Sequence, residues 1–154
     1  MIELMNESIV NPIAEFSIPA DSGGVRRASA WLETACIERG VPQSQISRLE
    51  LCLNEALANV VSHSGKMDRS SPIRLRLNVH QNQSTNEVLV TISDSGAPFD
   101  PLSKPAKSRP KSLADAEPGG LGLIMIRHFS DKQDYRYVDG SNQLSFSVCW
   151  AKLH

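Results

Sequence analysis

The sequence has few aromatic residues, no excess of charge and no long apolar run. Aromatic side chains make up 5% of its 154 residues, and 16 Lys and Arg residues against 17 Asp and Glu residues give a formal net charge of −1. Sparse aromatics argue against a stacking platform for single-stranded bases, and near-neutrality argues against nucleic-acid binding through a general positive field. No apolar run approaches the roughly 20 residues that span a bilayer, and residues 1–10 lack the basic start of a secretory signal.

Cysteine is also scarce. Cys36, Cys52 and Cys149 lie far apart, form no CxxC pair and are odd in number. This pattern argues against a disulfide framework and favours a reducing compartment. The hydrophobic content of 40% is ordinary for a globular protein, and 154 residues suffice for about one domain. We therefore expect one cytoplasmic domain over residues 1–154, without direct binding to nucleic acid or membrane.

Hydrophobic patterning predicts a strand and two helices in the first half of the chain. Residues 14–19 alternate between apolar and polar side chains, as a strand does. Capping residues follow, and then a helical pattern over 25–38, which Gly40 ends. A second helix is predicted over 44–61. An apolar stripe along it is expected to face a sheet, and its members are Ile46, Leu49, Leu53, Leu57 and Val60.

The second half alternates strands with one long loop. Four more strands are predicted over 73–78, 87–93, 133–138 and 144–150. Residues 98–118 contain five of the nine prolines and follow neither period, so they are predicted to form a long loop before a helix over 119–129. Asp139-Gly140 indicates a tight turn. This order predicts an α/β (α+β) two-layer sandwich with a mixed, mostly antiparallel sheet and helices on one face.

Glu55 and Asn59 form the first candidate site. They lie one turn apart on the second predicted helix, nearly opposite its apolar stripe. An arbitrary pair of this kind is most often a solvated polar face. A carboxylate beside an amide oxygen can also accept a proton and ligate a hard cation such as Mg²⁺.

Asp94 and Gly96 form the second candidate site, directly after a predicted strand. Asp, Ser, Gly and Pro all favour turns, so the ordinary interpretation of 94–100 is a β-turn. A carboxylate at the end of a buried strand can also accept a hydrogen bond from a ligand amine. Glycine beside it permits a flat ring to approach the backbone closely.

The third candidate site opens the predicted helix after the long loop, at Gly119-Gly120-Leu121-Gly122. Glycines at a helix N-terminus leave backbone N–H groups exposed where the helix dipole is positive, an arrangement that binds phosphates. A flexible hinge is the alternative, and this motif alone does not decide between the two.

In this order the three sites resemble the N, G1 and G2 boxes of the GHKL ATPase/kinase superfamily. Within it, the chain resembles the anti-sigma-factor serine kinases that regulate bacterial stress and sporulation sigma factors. His63 lies four residues after Asn59, where that family tends to carry His, and 94–101 reads DSGAPFDP. Residues 120–135 read GLGLIMIRHFSDKQDY, close to the family pattern GLGL-x-x-IR-x-x-x-D-x-x-x-Y. The resemblance covers nearly the whole chain.

The resemblance implies a role for each candidate residue. Asn59 would coordinate Mg²⁺ that bridges the ATP phosphates, and Glu55 would act as the base, or orient the attacking hydroxyl, for phosphoryl transfer. Asp94 would bind the adenine amino group, with Gly96 making room for the ring. Phosphate contacts would come from Gly119, Gly120, Leu121 and Gly122, and from His63, which equally well ends the helix. The long loop, about 97–118, becomes an ATP lid.

The same resemblance implies a serine kinase that uses Mg·ATP to phosphorylate an anti-anti-sigma protein with a STAS domain, and that also binds a sigma factor or similar target. A nucleotide-gated binding protein with little transfer is the alternative, although a pure switch needs no base at Glu55. The ATP-binding part of a histidine kinase ranks third, because no segment is left for a phospho-accepting hairpin. Arg26 and Arg27 are candidates for partner contacts, a homodimer is expected, and Arg127 is predicted to pair with Asp131.

Overall fold

The computed structural model describes residues 13–19, 21–62, 71–102 and 120–152, which hold five strands and three helices. Their order along the chain, β-α-α-β-β-α-β-β, is the predicted one. The strands are β1 (Ala14–Ile18), β2 (Ile73–Gln81), β3 (Thr85–Asp94), β4 (Lys132–Val138) and β5 (Ser141–Ala151), and the helices are α1 (Ser22–Glu38), α2 (Gln43–Ser62) and α3 (Gly120–Phe129). Most of the predicted lid lies outside the described residues, as do His63 and Gly119.

The sheet has the strand order β1-β2-β3-β5-β4, and its four pairs are all antiparallel, so no parallel pair occurs among the described strands. Alternate residues of the central strands form apolar rows that pack under the helices. These rows are Ile73, Leu75 and Leu77 on β2, Val88, Val90 and Ile92 on β3, and Leu144, Phe146 and Val148 on β5. The predicted two-layer sandwich with helices on one face is therefore confirmed, and burial of these rows is its main stabilising term.

The helix ends follow the sequence signals that predicted them. The Asp21 carboxylate caps α1, because its Oδ1 accepts a hydrogen bond from the Gly24 N–H at 2.7 Å. Gly40 lies just past the other end with a φ of 75°, a left-handed conformation that costs glycine little. The Val41 N–H then closes the turn by donating to the Cys36 carbonyl at 3.0 Å.

Helix α2 is buried along two of its sides. The predicted stripe packs against the sheet, with only Val60 left partly exposed. The neighbouring side faces α3, where the Cys52 Sγ lies 3.9 Å from the Ile126 carbonyl oxygen. Asn59 lies near that side and is 8% exposed. A solvated polar face is therefore the wrong interpretation for Asn59, because little of its surface is exposed.

The β4–β5 hairpin turns at Asp139-Gly140, as predicted. Their φ angles of 52° and 76° are both left-handed, the conformation that a two-residue turn of this kind requires. The turn sets the pairing, so that Tyr135 lies opposite Leu144 on the helix-facing side. On its other edge, β5 places Asn142 opposite Asp94.

The predicted ion pair between Arg127 and Asp131 is wrong. Helix α3 ends at Phe129, so the helical spacing does not extend to Asp131. The Asp131 carboxylate instead lies 3.3 Å from Arg48 and accepts a hydrogen bond from the Cys149 N–H at 2.6 Å. The Arg127 guanidinium donates to the Leu102 carbonyl, which joins α3 to the segment after β3.

The three cysteines form no disulfide. Cys36, Cys52 and Cys149 are all free thiols. Burial raises the pKa of Cys36 to about 12 and that of Cys52 to about 11, so neither is a thiolate nucleophile near neutral pH. In the part of the chain that the structure describes, no helix combines the length and the apolar character needed to cross a membrane.

Candidate active site

A cavity of about 360 Å³ opens between the C-terminal end of α2 and the loop that follows β3. This size lies within the range of roughly 300–1,000 Å³ that is common for small-molecule sites. Its described lining is mostly apolar with a few polar groups, and consists of Ala56, Asn59, Val60, Ser62, Asp94, Gly96, Ala97, Pro98, Phe99, Pro101, Tyr135, Asn142 and Leu144.

Three of the predicted site residues meet at this cavity. Asn59 enters it from α2, whereas Asp94 and Gly96 enter it from the end of β3. Glu55 lies one turn before Asn59 and is half-buried at the surface of α2. It does not belong to the described lining, but Asn59 does, so Glu55 lies beside the cavity. The first and second candidate sites, 35 or more residues apart in sequence, are thus neighbours in space.

The other predicted residues are not part of the described lining. Gly120, Leu121 and Gly122 form the first turn of α3, a helix that packs against α2. His63 and Gly119 fall outside the described residues. Arg26 and Arg27 are exposed on the second turn of α1 and do not line the cavity.

The Asp94 carboxylate is held at one oxygen. Its Oδ1 accepts hydrogen bonds from the Gly96 N–H at 2.9 Å and from the Asn142 Nδ2 at 3.0 Å. The Asp94 carbonyl accepts a further bond from the Ser141 hydroxyl at 3.1 Å. Among the described residues, all hydrogen bonds to this carboxylate go to Oδ1, which leaves Oδ2 available to a donor in the cavity.

Asn142 and Tyr135 contribute to this site although the sequence analysis assigned them no role. Asn142 is 6% exposed at the start of β5, and its Oδ1 accepts bonds from the Phe99 N–H at 3.0 Å and from the Tyr135 hydroxyl. Burial, with the nearby charges of Asp100 and Asp94, raises the pKa of Tyr135, so its hydroxyl remains a donor. A polar residue in the apolar row of Leu144, Phe146 and Val148 was the available signal for Asn142.

The lining of the cavity indicates which kind of ligand the protein binds. A mainly apolar cavity lined by one acidic side chain and by buried amides fits a ligand with a flat, amine-bearing ring. Residues 18–148 match the family of histidine kinase-like ATPase domains. The chain therefore belongs to the histidine kinase-like ATPase family, and ATP is the nucleotide that this family uses.

Two curated relatives identify the branch within the family. The chain is 36% identical over 117 residues to the serine/threonine-protein kinase BtrW of Bordetella bronchiseptica, covering 76% of this chain and 80% of that protein. It is 26% identical over 127 residues to the serine-protein kinase RsbW of Listeria innocua, covering 80% and 78% of the two chains. Its enzyme class is accordingly that of the protein-serine/threonine kinases.

Two solved structures share the fold. The RsbU and RsbW domains of Rv1364c from Mycobacterium tuberculosis match with a TM-score of 0.63 and 16% identity, over 90% of this chain and 32% of that one. A chain from the SiaB–SiaC complex of Pseudomonas aeruginosa matches with a TM-score of 0.51 and 15% identity, over 97% and 98%. At these identities, the similarity concerns the fold alone.

Proposed function

We propose that this chain is a partner-switching kinase. It binds Mg·ATP, phosphorylates a serine of a STAS-type anti-anti-sigma protein, and in its other state holds a sigma factor or a similar target. Two curated relatives are serine kinases by name, which supports the reaction. The observation that carries the proposal is the meeting of Asn59 and Asp94 in one cavity, with Glu55 one turn away at the surface.

The adenine end of the site is the end nearest the sheet. Oδ2 of Asp94 accepts a hydrogen bond from the exocyclic amine, since Oδ1 is already occupied by Gly96 and Asn142. The flat ring lies between apolar walls that include Val60 and Phe99. Close approach to the backbone is possible at Gly96, which has no side chain.

The phosphate end is the end nearest the last turns of α2. The described residues include no group of three or more His, Cys, Asp or Glu side chains that could hold a metal ion. Mg²⁺ is commonly held by substrate phosphates with only one or two protein ligands. The Asn59 amide oxygen is the ligand from this chain, and the backbone N–H groups of Gly119, Gly120, Leu121 and Gly122, together with His63, contact the phosphates.

Glu55 has a position suited to a protein substrate. It is half-buried at the surface beside the cavity, where a serine carried by another protein can approach it. Bound Mg·ATP supplies the phosphoryl group, and Glu55 accepts the proton that the serine hydroxyl gives up. A base deep in the cavity would be out of reach of a protein side chain.

The rest of the chain completes the proposal. It forms one domain over 1–154, with an ATP lid at about 97–118 and a cytoplasmic location. Arg26 and Arg27 are exposed on α1, outside the described cavity lining, and are available for contacts with a sigma factor or with a second copy in a homodimer.

Affinity capture with Mg·ATP, followed by mapping of phosphosites on the STAS-type protein that is retained, tests the proposal. Wild-type protein should leave a phosphoserine on that partner. Glu55→Gln should bind ATP as the wild type does but slow transfer by at least about a hundredfold. Glu50→Gln, on the same helix but outside the cavity lining, is the matched control and should transfer normally.

Two results would contradict the proposal. Transfer at the wild-type rate by Glu55→Gln would remove Glu55 as the base. ATP-dependent capture of a partner that carries no phosphate would replace the kinase with an ATP-gated switch.

A further inference from the structure

We propose that Asn142 is the positioning residue of the nucleotide site. Its side chain fixes the direction of the Asp94 carboxylate and so determines how strongly the site prefers a base that carries an exocyclic amine. This inference rests on the proposed function, because it assumes that the cavity holds a purine ring.

The donor side of the Asn142 amide joins three points of one loop. Nδ2 lies 3.0 Å from Asp94 Oδ1, 3.3 Å from the Gly96 carbonyl and 3.0 Å from the Ala97 carbonyl. One side chain from β5 therefore holds the end of β3 and the first turn of the following loop. Without it, the carboxylate keeps, among the hydrogen bonds of the described residues, the local bond from the Gly96 N–H.

The acceptor side fixes which way the amide faces. Oδ1 accepts from the Phe99 N–H at 3.0 Å and from the Tyr135 hydroxyl. A backbone N–H only donates, so rotating the amide by 180° would set donor against donor at Phe99. Since Tyr135 is protonated at neutral pH, it holds the same orientation from β4.

Because Asn142 is buried, the loss of its hydrogen bonds should affect ligand binding. Asn142 is 6% exposed, so water does not readily replace its bonds. Asn142 also lines the cavity beside Asp94, across the sheet pair that joins β3 to β5. Because Oδ1 is fixed from two sides, Oδ2 points to one place, and a base with an amine at that place is preferred.

The measured quantity is a selectivity ratio. It is the dissociation constant of purine riboside 5′-triphosphate, which lacks the amine, divided by that of ATP, determined by calorimetry on the full chain. We expect a wild-type ratio of about ten or more, and in Asn142→Ala a ratio several-fold smaller, because the untethered carboxylate loses its alignment. Asn78→Ala is the control: Asn78 is comparably buried on β2 but outside the cavity lining, and its ratio should match the wild type.

A milder variant keeps the test decisive if Asn142→Ala does not fold. Tyr135→Phe removes one hydrogen bond to Asn142 Oδ1 and should lower the ratio in the same direction by about twofold. An unchanged ratio in the folded variants, or equal losses of affinity for both triphosphates, would overturn the inference and leave Asn142 a structural residue. A wild-type ratio of one would remove the proposed adenine site itself, a result distinguishable from the other two.

Discussion

Two polar clusters attach neighbouring segments to β5, and they differ in burial. The Asn142 cluster consists of Asn142 and the groups that its side chain bonds. It holds the loop after β3, and Asn142 is 6% exposed. The Asp131 cluster holds the turn after α3, where the Arg48 and Asp131 side chains are 30% and 39% exposed. Both use side-chain bonds to backbone groups, but the exposed cluster competes with water throughout.

The buried cluster is part of the candidate site, and the exposed cluster contributes to the fold alone. The buried cluster directs a carboxylate into the cavity, whereas the exposed one ties α2 and β5 to the end of α3. Hydrogen bonds contribute most when their loss leaves a buried group unsatisfied. Substitutions in the two clusters should therefore differ in size and in whether nucleotide binding changes.

The largest effect is expected for Asn142→Ala, which removes the hydrogen bonds that Asn142 makes to the Phe99 N–H and to the Gly96 and Ala97 carbonyls. The free energy of unfolding should fall by about 2–3 kcal/mol in a denaturant titration. Asn86→Ala is the control, because the Asn86 Oδ1 is buried without a hydrogen-bond partner among the described residues. A loss below about 0.5 kcal/mol is expected there, and equal losses in the two variants would contradict the account.

An intermediate effect is expected for Asp131→Ala. Its carboxylate accepts from the Cys149 N–H and pairs with Arg48, both near the surface, so the loss should be about 1 kcal/mol. ATP affinity should stay unchanged, in contrast to Asn142→Ala. Asp134→Ala, which breaks the pair with Arg136 on the exposed edge strand, should be nearly neutral. Weakened ATP binding in Asp131→Ala would erase the distinction between the clusters.

The smallest effect is expected for Glu87→Gln, and it should depend on pH. Although burial opposes ionisation, hydrogen bonds from Lys132, Cys149 and Ser147 lower the pKa of Glu87. Because its pKa is lowered, the ionised Glu87 carboxylate stabilises the fold at pH values above the ordinary Glu pKa of about 4.3. This contribution is lost as the pH falls through the lowered pKa. The difference between wild type and variant should be below about 1 kcal/mol at pH 7 and vanish on acidification.

Thermal unfolding between neutral and acidic pH measures this difference. Glu38→Gln serves as the control, since the Glu38 side chain is 65% exposed against 22% for Glu87. A gap that widens as pH falls would have the wrong sign for a carboxylate with a lowered pKa.

Local sequence patterns predicted the elements well because those elements depend on near neighbours. The apolar stripe of α2, the glycine after α1 and the Asp139-Gly140 turn are each read from a few consecutive residues. The turn also fixes the β4–β5 pairing, so the position of Tyr135 beside β5 follows from it.

The missed features depend on contacts between distant parts of the chain. Asn142 faces Asp94 only because β5 pairs with β3 in one particular register, and 47 residues lie between them in sequence. Asn59 is 8% exposed and lines the cavity with residues from distant parts of the chain, a placement that no pattern within α2 reveals. The predicted Arg127–Asp131 pair is wrong because α3 ends before the helical spacing from Arg127 reaches Asp131.

Calorimetric titration of ATP into wild type and Asp94→Asn tests the central claim most directly. The substituted amide keeps its oxygen at the Oδ1 position, where the Gly96 N–H and Asn142 Nδ2 both donate, and turns its NH₂ toward the cavity. We predict one site in the wild type and an affinity at least about tenfold weaker in Asp94→Asn, with unfolding temperature little changed. Equal affinities in the two proteins would contradict the assignment of this cavity to ATP.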